Sequence, residues 1–153
     1  MHLSGRHVVH AQSEEIFDKL QDPKVLRGCI PGCDDLVYTG EGTYQARLSV
    51  GFGLIRGTFT GKVALQDVDR PRGYTLLVRG EGKAGFLQGI TRVSLEPLPN
   101  PEWTEIRFES DIQVGGLLGA VAGRFLPGAA KAMSEEFFKA LDQALRKEDG
   151  KEE

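Results

Sequence analysis

Cysteine is scarce: the 153 residues contain two, Cys29 and Cys33. That excludes the disulfide-dense class of small secreted domains, and a cytoplasmic location is the expectation. Two thiols alone do not complete a tetrahedral zinc site. Pro31-Gly32 between them points to a fixed turn, so packing, redox and metal roles all stay open for the pair. Long apolar runs are also missing. The longest nearly uncharged stretch, Ile112 to Gly123, has twelve residues, and a bilayer span needs about 20. Met1 to His7 has no apolar core of signal-peptide length. Nor does one sign of charge dominate: 19 basic residues face 22 acidic ones, spread along the chain, for a net charge of −3. A nucleic-acid partner is therefore not expected. What the chain has in excess is glycine, 20 residues or about 13%, against a usual ~7%. The length suits one domain, here spanning 1–147. The charged residues 148–153 form a tail expected to fray or be disordered.

The hydrophobic period changes twice. Leu3 to His10, with Val8 and Val9, reads as a strand. Ser13 reads as an N-cap, with Glu14 and Glu15 in the first helical turn and Ile16, Phe17 and Leu20 on its apolar side. Asp22-Pro23 restarts a helix, Asp as cap and Pro at the first helical position. Gly28 and Pro31-Gly32 end it. From residue 34 the period is two. Tyr44, Ala46, Leu48 and Val50 share one face; so do Phe59, Gly61, Val63 and Leu65. Tyr74, Leu76 and Val78 follow, then Leu87, Gly89, Thr91, Val93 and Leu95. The clearest strand sets Thr104, Ile106, Phe108, Ser110, Ile112 and Val114 against charged neighbours. Oily on one face and wet on the other, such strands make an antiparallel sheet. From about Leu117 to Lys147 the period returns to 3.6, with a stripe through Leu118, Val121, Phe125, Ala129, Met133, Phe137, Leu141 and Leu145. Pro127 is expected to kink this helix and is a candidate hinge.

One helix about 10 Å across must cover a wide oily face. A curved sheet wrapped around it solves that problem. Glycines 61, 80, 82, 85 and 89 fit the bending and leave side-chain volume out of the interior. The expected architecture is α+β: a helix-grip fold in which a curved antiparallel sheet of about six or seven strands wraps around a long C-terminal helix, with two short helices after strand 1.

Several motifs fall short of the chemistry they resemble. Gly80-Glu81-Gly82-Lys83-Ala84-Gly85 fits the dinucleotide pattern, but a strand follows where a helix must hold the pyrophosphate, so it reads as a hairpin turn. Gly123 to Ala129 lacks the Lys-Ser/Thr of a phosphate loop. His2 and His10 alternate away from His7, which argues against a shared metal site. No Ser-His-Asp or G-x-S-x-G pattern occurs. Gly115, Gly119 and Gly123 read as close helix packing at the sheet edge, the run being too short for a membrane helix pair. No metal and no cofactor is expected.

Asp22-Pro23-Lys24-Val25-Leu26 and then Cys29-Ile30-Pro31-Gly32-Cys33 resemble CoxG, a carbon monoxide dehydrogenase subunit family, within the START-like (SRPBCC) helix-grip proteins. Gly42 to Ala46, Gly57 to Val63, Gly80-Glu81-Gly82, Val114 to Leu118 and Glu136-Phe137-Phe138 extend the likeness from Leu3 to Leu145. The resemblance implies a non-catalytic accessory protein of a molybdenum-containing CO dehydrogenase-type oxidoreductase. It implies an apolar guest, quinone or lipid-like, held in a cavity under the last helix, and transient membrane contact. Many members make that contact through a C-terminal extension, whereas this chain ends shortly after the helix. The inward residues then become cavity lining: Leu48, Val50, Phe59 and Val63; Leu76, Val78, Leu87, Thr91 and Val93; Phe108, Ser110 and Ile112; and Phe125, Ala129, Met133 and Phe137 from the helix. Thr91 and Ser110 could orient a quinone carbonyl or bond locally to backbone. Two alternatives stay open: a recruitment or assembly module with a filled core, and an enzyme of the polyketide-cyclase kind. The inward faces carry Ser110, Thr91 and Tyr74 but no obvious Asp, Glu or His for the latter.

Overall fold

A computed structural model of the protein describes residues 1–52 and 55–148. The chain runs β1 (His2–Val9), α1 (Ser13–Lys19), α2 (Pro23–Cys29), β2 (Cys33–Gly40), β3 (Thr43–Phe52), β4 (Ile55–Asp69), β5 (Gly73–Gly82), β6 (Gly85–Pro97), β7 (Thr104–Gly115) and α3 (Leu117–Glu148). The seven strands form one sheet in the order β1-β7-β6-β5-β4-β3-β2, antiparallel at every step. After β1 the two short helices carry the chain to the far edge. A meander then returns it strand by strand until β7 pairs with β1.

Local chemistry accounts for the start of α2 but not for that of α1. At α2, Asp22 Oδ1 accepts from Lys24 N at 2.9 Å and Pro23 occupies the first turn, as its spacing predicts. At α1 the expectation needs correction: Gln12 is the cap residue and no side chain caps the helix. Ser13 is buried instead, with its hydroxyl 3.2 Å from Thr104 Oγ1. The Thr104 hydroxyl in turn donates to the Ala11 carbonyl at 2.8 Å. Tertiary contact has taken the side chain that local rules assign to the helix end.

Registers carry the inward residues across the sheet in rows. Leu65, Leu76, Thr91 and Ser110 are opposite one another in succession, as are Tyr74, Val93 and Phe108, and as are Tyr44, Val63 and Val78. Phe108 continues its row onto Gly5 of β1. A Cβ at Gly5 would lie 2.7 Å from the Phe108 ring, so the missing side chain makes room for an aromatic on the concave face. Gly82 and Gly85 pair across the Lys83-Ala84 turn, so the glycine-rich stretch is a hairpin. Among the edge glycines, a Cβ on Gly119 would lie 3.2 Å from the Val114 carbonyl, but Gly123 faces open space and does not serve close packing.

α3 is one helix with Pro127 inside it. It spans two apolar clusters. The larger joins Val9, Ile16, Phe17, Leu20, Tyr74, Leu95 and Ile106 to Leu141 and Leu145. The smaller comprises Phe59, Leu118 and Ala129, with Val50, Val114 and Phe125 among its half-buried neighbours. The expected charged tail overlaps the helix end at Glu148; residues 149–153 lie outside the described residues.

Candidate functional site

Beside the larger cluster, between the concave sheet face and the helices, lies a cavity of about 300 Å³. The sheet contributes Leu36, Tyr44, Val63, Leu65, Tyr74, Leu76, Thr91, Val93, Ile106 and Phe108. The helical side contributes Leu20, Leu26 and Ile30, with Ser134, Phe137 and Phe138 from α3. The Phe137 and Phe138 rings meet edge to face at 5.1 Å. Phe138 also stacks on His7 of β1 at 4.1 Å, which anchors this turn of α3 to the sheet edge.

Among the described residues the lining contains no carboxylate, imidazole, ammonium or guanidinium group. Its polar side chains are four hydroxyls. Tyr44 donates to the Gln21 carbonyl at 2.6 Å. Thr91 and Ser110 share a hydrogen bond of 2.8 Å. Ser134 donates to the Lys131 carbonyl, one helical turn back, at 3.2 Å. Tyr74 sets its ring against the edge of Phe17 at 5.6 Å. Burial holds the Tyr74 phenol well above its ordinary pKa, reinforced by Tyr44. Burial raises Tyr44 too, with smaller contributions from Tyr38 and Asp22. Both phenols therefore remain neutral donors. Chemically, the site can remove an apolar body from water and address it with hydroxyl groups.

Of the residues nominated by sequence, the structure brings Val63, Leu76, Thr91, Val93, Phe108 and Phe137 together around this cavity. Ser110 stands behind Thr91, bonded to it. Phe59 and Ala129 lie in the smaller cluster, with Val50 and Phe125 packed against it. Leu48, Val78, Leu87, Ile112 and Met133 are half-buried and do not line the cavity. Distance along the helix accounts for the split: Ala129 and Phe137 are eight residues, or ~12 Å, apart. The nominated set thus divides between two places. Ten lining residues were not nominated. Tyr44, Leu65, Tyr74 and Ile106 shared the inward faces of nominated residues, so the signal was present. Leu26 and Ile30 lie on the apolar side of α2. Ser134 and Phe138 fall off the main α3 stripe, so its periodicity does not mark them.

The cysteines and histidines lie elsewhere. Cys29 is buried in the larger cluster, and burial pushes its thiol pKa up. Cys33 Sγ donates to the Asp35 carbonyl at 3.3 Å, and its pKa is also raised, chiefly by burial. Both thiols are free. His2 contacts Asp111 at 2.9 Å, and His10 stacks on Trp103 at 4.3 Å. Among the described residues no His, Cys, Asp and Glu side chains cluster in a way that could hold a metal ion, and no helix is long and apolar enough to cross a membrane. A depression on the outer face of the sheet is bordered by charged side chains such as Asp35, Arg47, Lys62, Arg79 and Glu81.

Comparison with known proteins adds sequence and fold likenesses. CoxG, the family described as a carbon monoxide dehydrogenase subunit, matches residues 5–146. Among curated proteins none matches the chain. A conserved protein from Geobacillus kaustophilus is 33% identical over 96% of each chain, with a TM-score of 0.91. A START superfamily protein from Mycobacterium smegmatis has a TM-score of 0.67 at 14% identity, covering 95% of this chain and 97% of that one. A protein from Rhizobium leguminosarum has a TM-score of 0.73 at 14% identity over 96% and 95%. The last two show the fold alone. The curved sheet and its terminal helix form the START-like helix-grip fold that the periodicity predicts.

Proposed function

The chain belongs to the CoxG family of carbon monoxide dehydrogenase subunits, and from that premise we propose that it is a non-catalytic accessory protein that holds a hydrophobic small molecule under α3. The enzyme it serves is a CO dehydrogenase-type molybdenum oxidoreductase. The guest is a quinone, taken up and released at a membrane surface by a cytoplasmic protein in transient contact with it. The observation that carries this reading is the cavity of about 300 Å³ with a nearly hydrocarbon wall. Ligand pockets run from about 300 to 1,000 Å³ and combine an apolar lining with a few polar groups.

Volume refines the guest. A dry apolar cavity of roughly 150 Å³ accepts benzene. About twice that volume suits a one- or two-ring head rather than an entire prenylated molecule, so a long tail would have to extend beyond the cavity. Burial supplies the driving force at ~0.8 kcal/mol per buried methylene-sized group. The absence of carboxylate or imidazole from the lining supports holding over a cyclase-like reaction, and the unfilled space supports a carrier over an assembly module with a filled core.

The test is extraction. Protein made in its own host and extracted with organic solvent should release a quinone at close to one per chain. The emptied protein should take up a short-tailed quinone in calorimetric titration. If nothing lipophilic co-purifies and the emptied protein ignores quinones, the carrier reading is wrong.

A further inference from the structure

We propose that the Tyr74 hydroxyl is the hydrogen-bond donor that orients the guest, so that the cavity selects an apolar ring carrying an oxygen acceptor over a hydrocarbon of the same shape. The inference rests on the carrier reading and names the residue that gives that site its chemical preference.

Three observations support it. Tyr74 is 7% exposed and lines the cavity. Its ring is braced by Phe17 behind it and faces Val93 across the β5–β6 register, which limits where the hydroxyl can swing. The other three lining hydroxyls are each engaged, Tyr44 with Gln21, Thr91 with Ser110 and Ser134 with Lys131. The Tyr74 hydroxyl makes no hydrogen bond to any described residue. With no partner among the described residues and its side chain in the cavity wall, the hydroxyl is available to a guest that carries an acceptor. A trapped water needs two to four polar contacts, and most of the surrounding wall is Leu, Ile, Val and Phe. A ketone or quinone oxygen needs only the one donor, and the rest of such a molecule gains by burial in the same wall. The phenol stays protonated because burial opposes its ionisation, so it donates throughout the physiological pH range.

The experiment compares wild-type protein with Tyr74→Phe, which removes one oxygen and keeps the ring. Two probes of matched shape are titrated by calorimetry: 2,3-dimethyl-1,4-naphthoquinone and 2,3-dimethylnaphthalene. The wild type should prefer the quinone, and Tyr74→Phe should weaken quinone binding roughly tenfold while leaving the hydrocarbon unchanged. Without ligand, Tyr74→Phe should melt at or above the wild-type temperature, since no protein hydrogen bond is lost. A drop of several degrees would show that the hydroxyl already has a partner, and would overturn the proposal. So would an equal loss for both probes, or no loss for the quinone. A second measurement needs no variant: the infrared carbonyl band of the quinone bound to wild type should lie below its position in an apolar solvent, and an unshifted band refutes the assignment. If wild type binds neither probe, the carrier reading itself falls and this inference falls with it. If wild type binds both and Tyr74→Phe binds them equally well, only the role of Tyr74 is lost.

Discussion

The two halves of α3 rest on different ground. Toward its C-terminus, Leu141 and Leu145 are fully buried (0% exposed) in the larger cluster, among residues of β1, α1, β5, β6 and β7. Toward its N-terminus the helix offers Leu118 and Ala129 to a cluster whose only other buried member, among the described residues, is Phe59. Leu117 is 76% exposed, and the sites of Gly123 and Gly128 open onto empty space. Few buried apolar contacts mean a low free energy of local opening. The cavity borders the well-anchored half, where Ser134, Phe137 and Phe138 overhang it. The lesson is that the wall of the site belongs to the densely packed half of the helix, while the half beyond it has few buried contacts to hold it.

The largest expected effect tests this contrast directly. Leu141→Ala should cost about 4 kcal/mol in urea unfolding, near the upper end for a buried leucine. Leu118→Ala should cost about 2 kcal/mol, because its sparse surroundings can collapse. Equal losses, or the reverse order, would break the comparison.

A smaller effect comes from glycine. Gly123 lies inside the helix with nothing near its absent side chain. Gly123→Ala should stabilise the protein by about 0.5–1 kcal/mol through helix propensity. Gly82→Ala should destabilise it, because the added carbon would meet the Thr58 carbonyl at 2.5 Å and the Phe59 ring at 2.9 Å. Thermal melts of the pair would show one rise and one fall. A fall in both would mean that the N-terminal half is more tightly packed than its contacts indicate.

The smallest effect concerns pH at the anchored half. His7 is held below its ordinary pKa of 6.5 by burial, partly offset by Glu135. The folded protein therefore resists a proton that the unfolded chain accepts. The associated stability is complete above about pH 6.5 and declines as the pH falls through the lowered folded value. His7→Phe keeps a ring against Phe138 and removes the proton site. Its melting temperature should fall less between pH 7.5 and pH 5 than that of wild type, and parallel slopes would remove His7 from the account.

Much of the fold was legible because alternation and helical period report directly which side of an element meets oil. The strand faces of Tyr74 to Val78 and Thr104 to Val114 point as their spacing predicts. So does the Asp22 cap, a contact within two residues of chain. Ser13 did not behave this way, since Thr104, distant in sequence, competes for its hydroxyl. The cavity was legible only in part. Val63 and Val78 lie on the same face of neighbouring strands and are opposite each other, yet only Val63 lines the space. Periodicity reports a face and not a position along it. Phe138 lies beside the stripe rather than on it, so periodicity does not mark it as lining, and it becomes wall through its contacts with His7 and Phe137.

Sequence alone determined which residues are apolar on which side, where α2 begins and strands turn, and that one helix must cover a wide sheet. Those are properties of neighbours along the chain. Where α3 crosses the sheet, how its oily stripe divides between a dense core and a sparse one, and which hydroxyl is left without a partner were decided only by tertiary structure. Each depends on distances between segments far apart in sequence, set by the packing of the whole molecule.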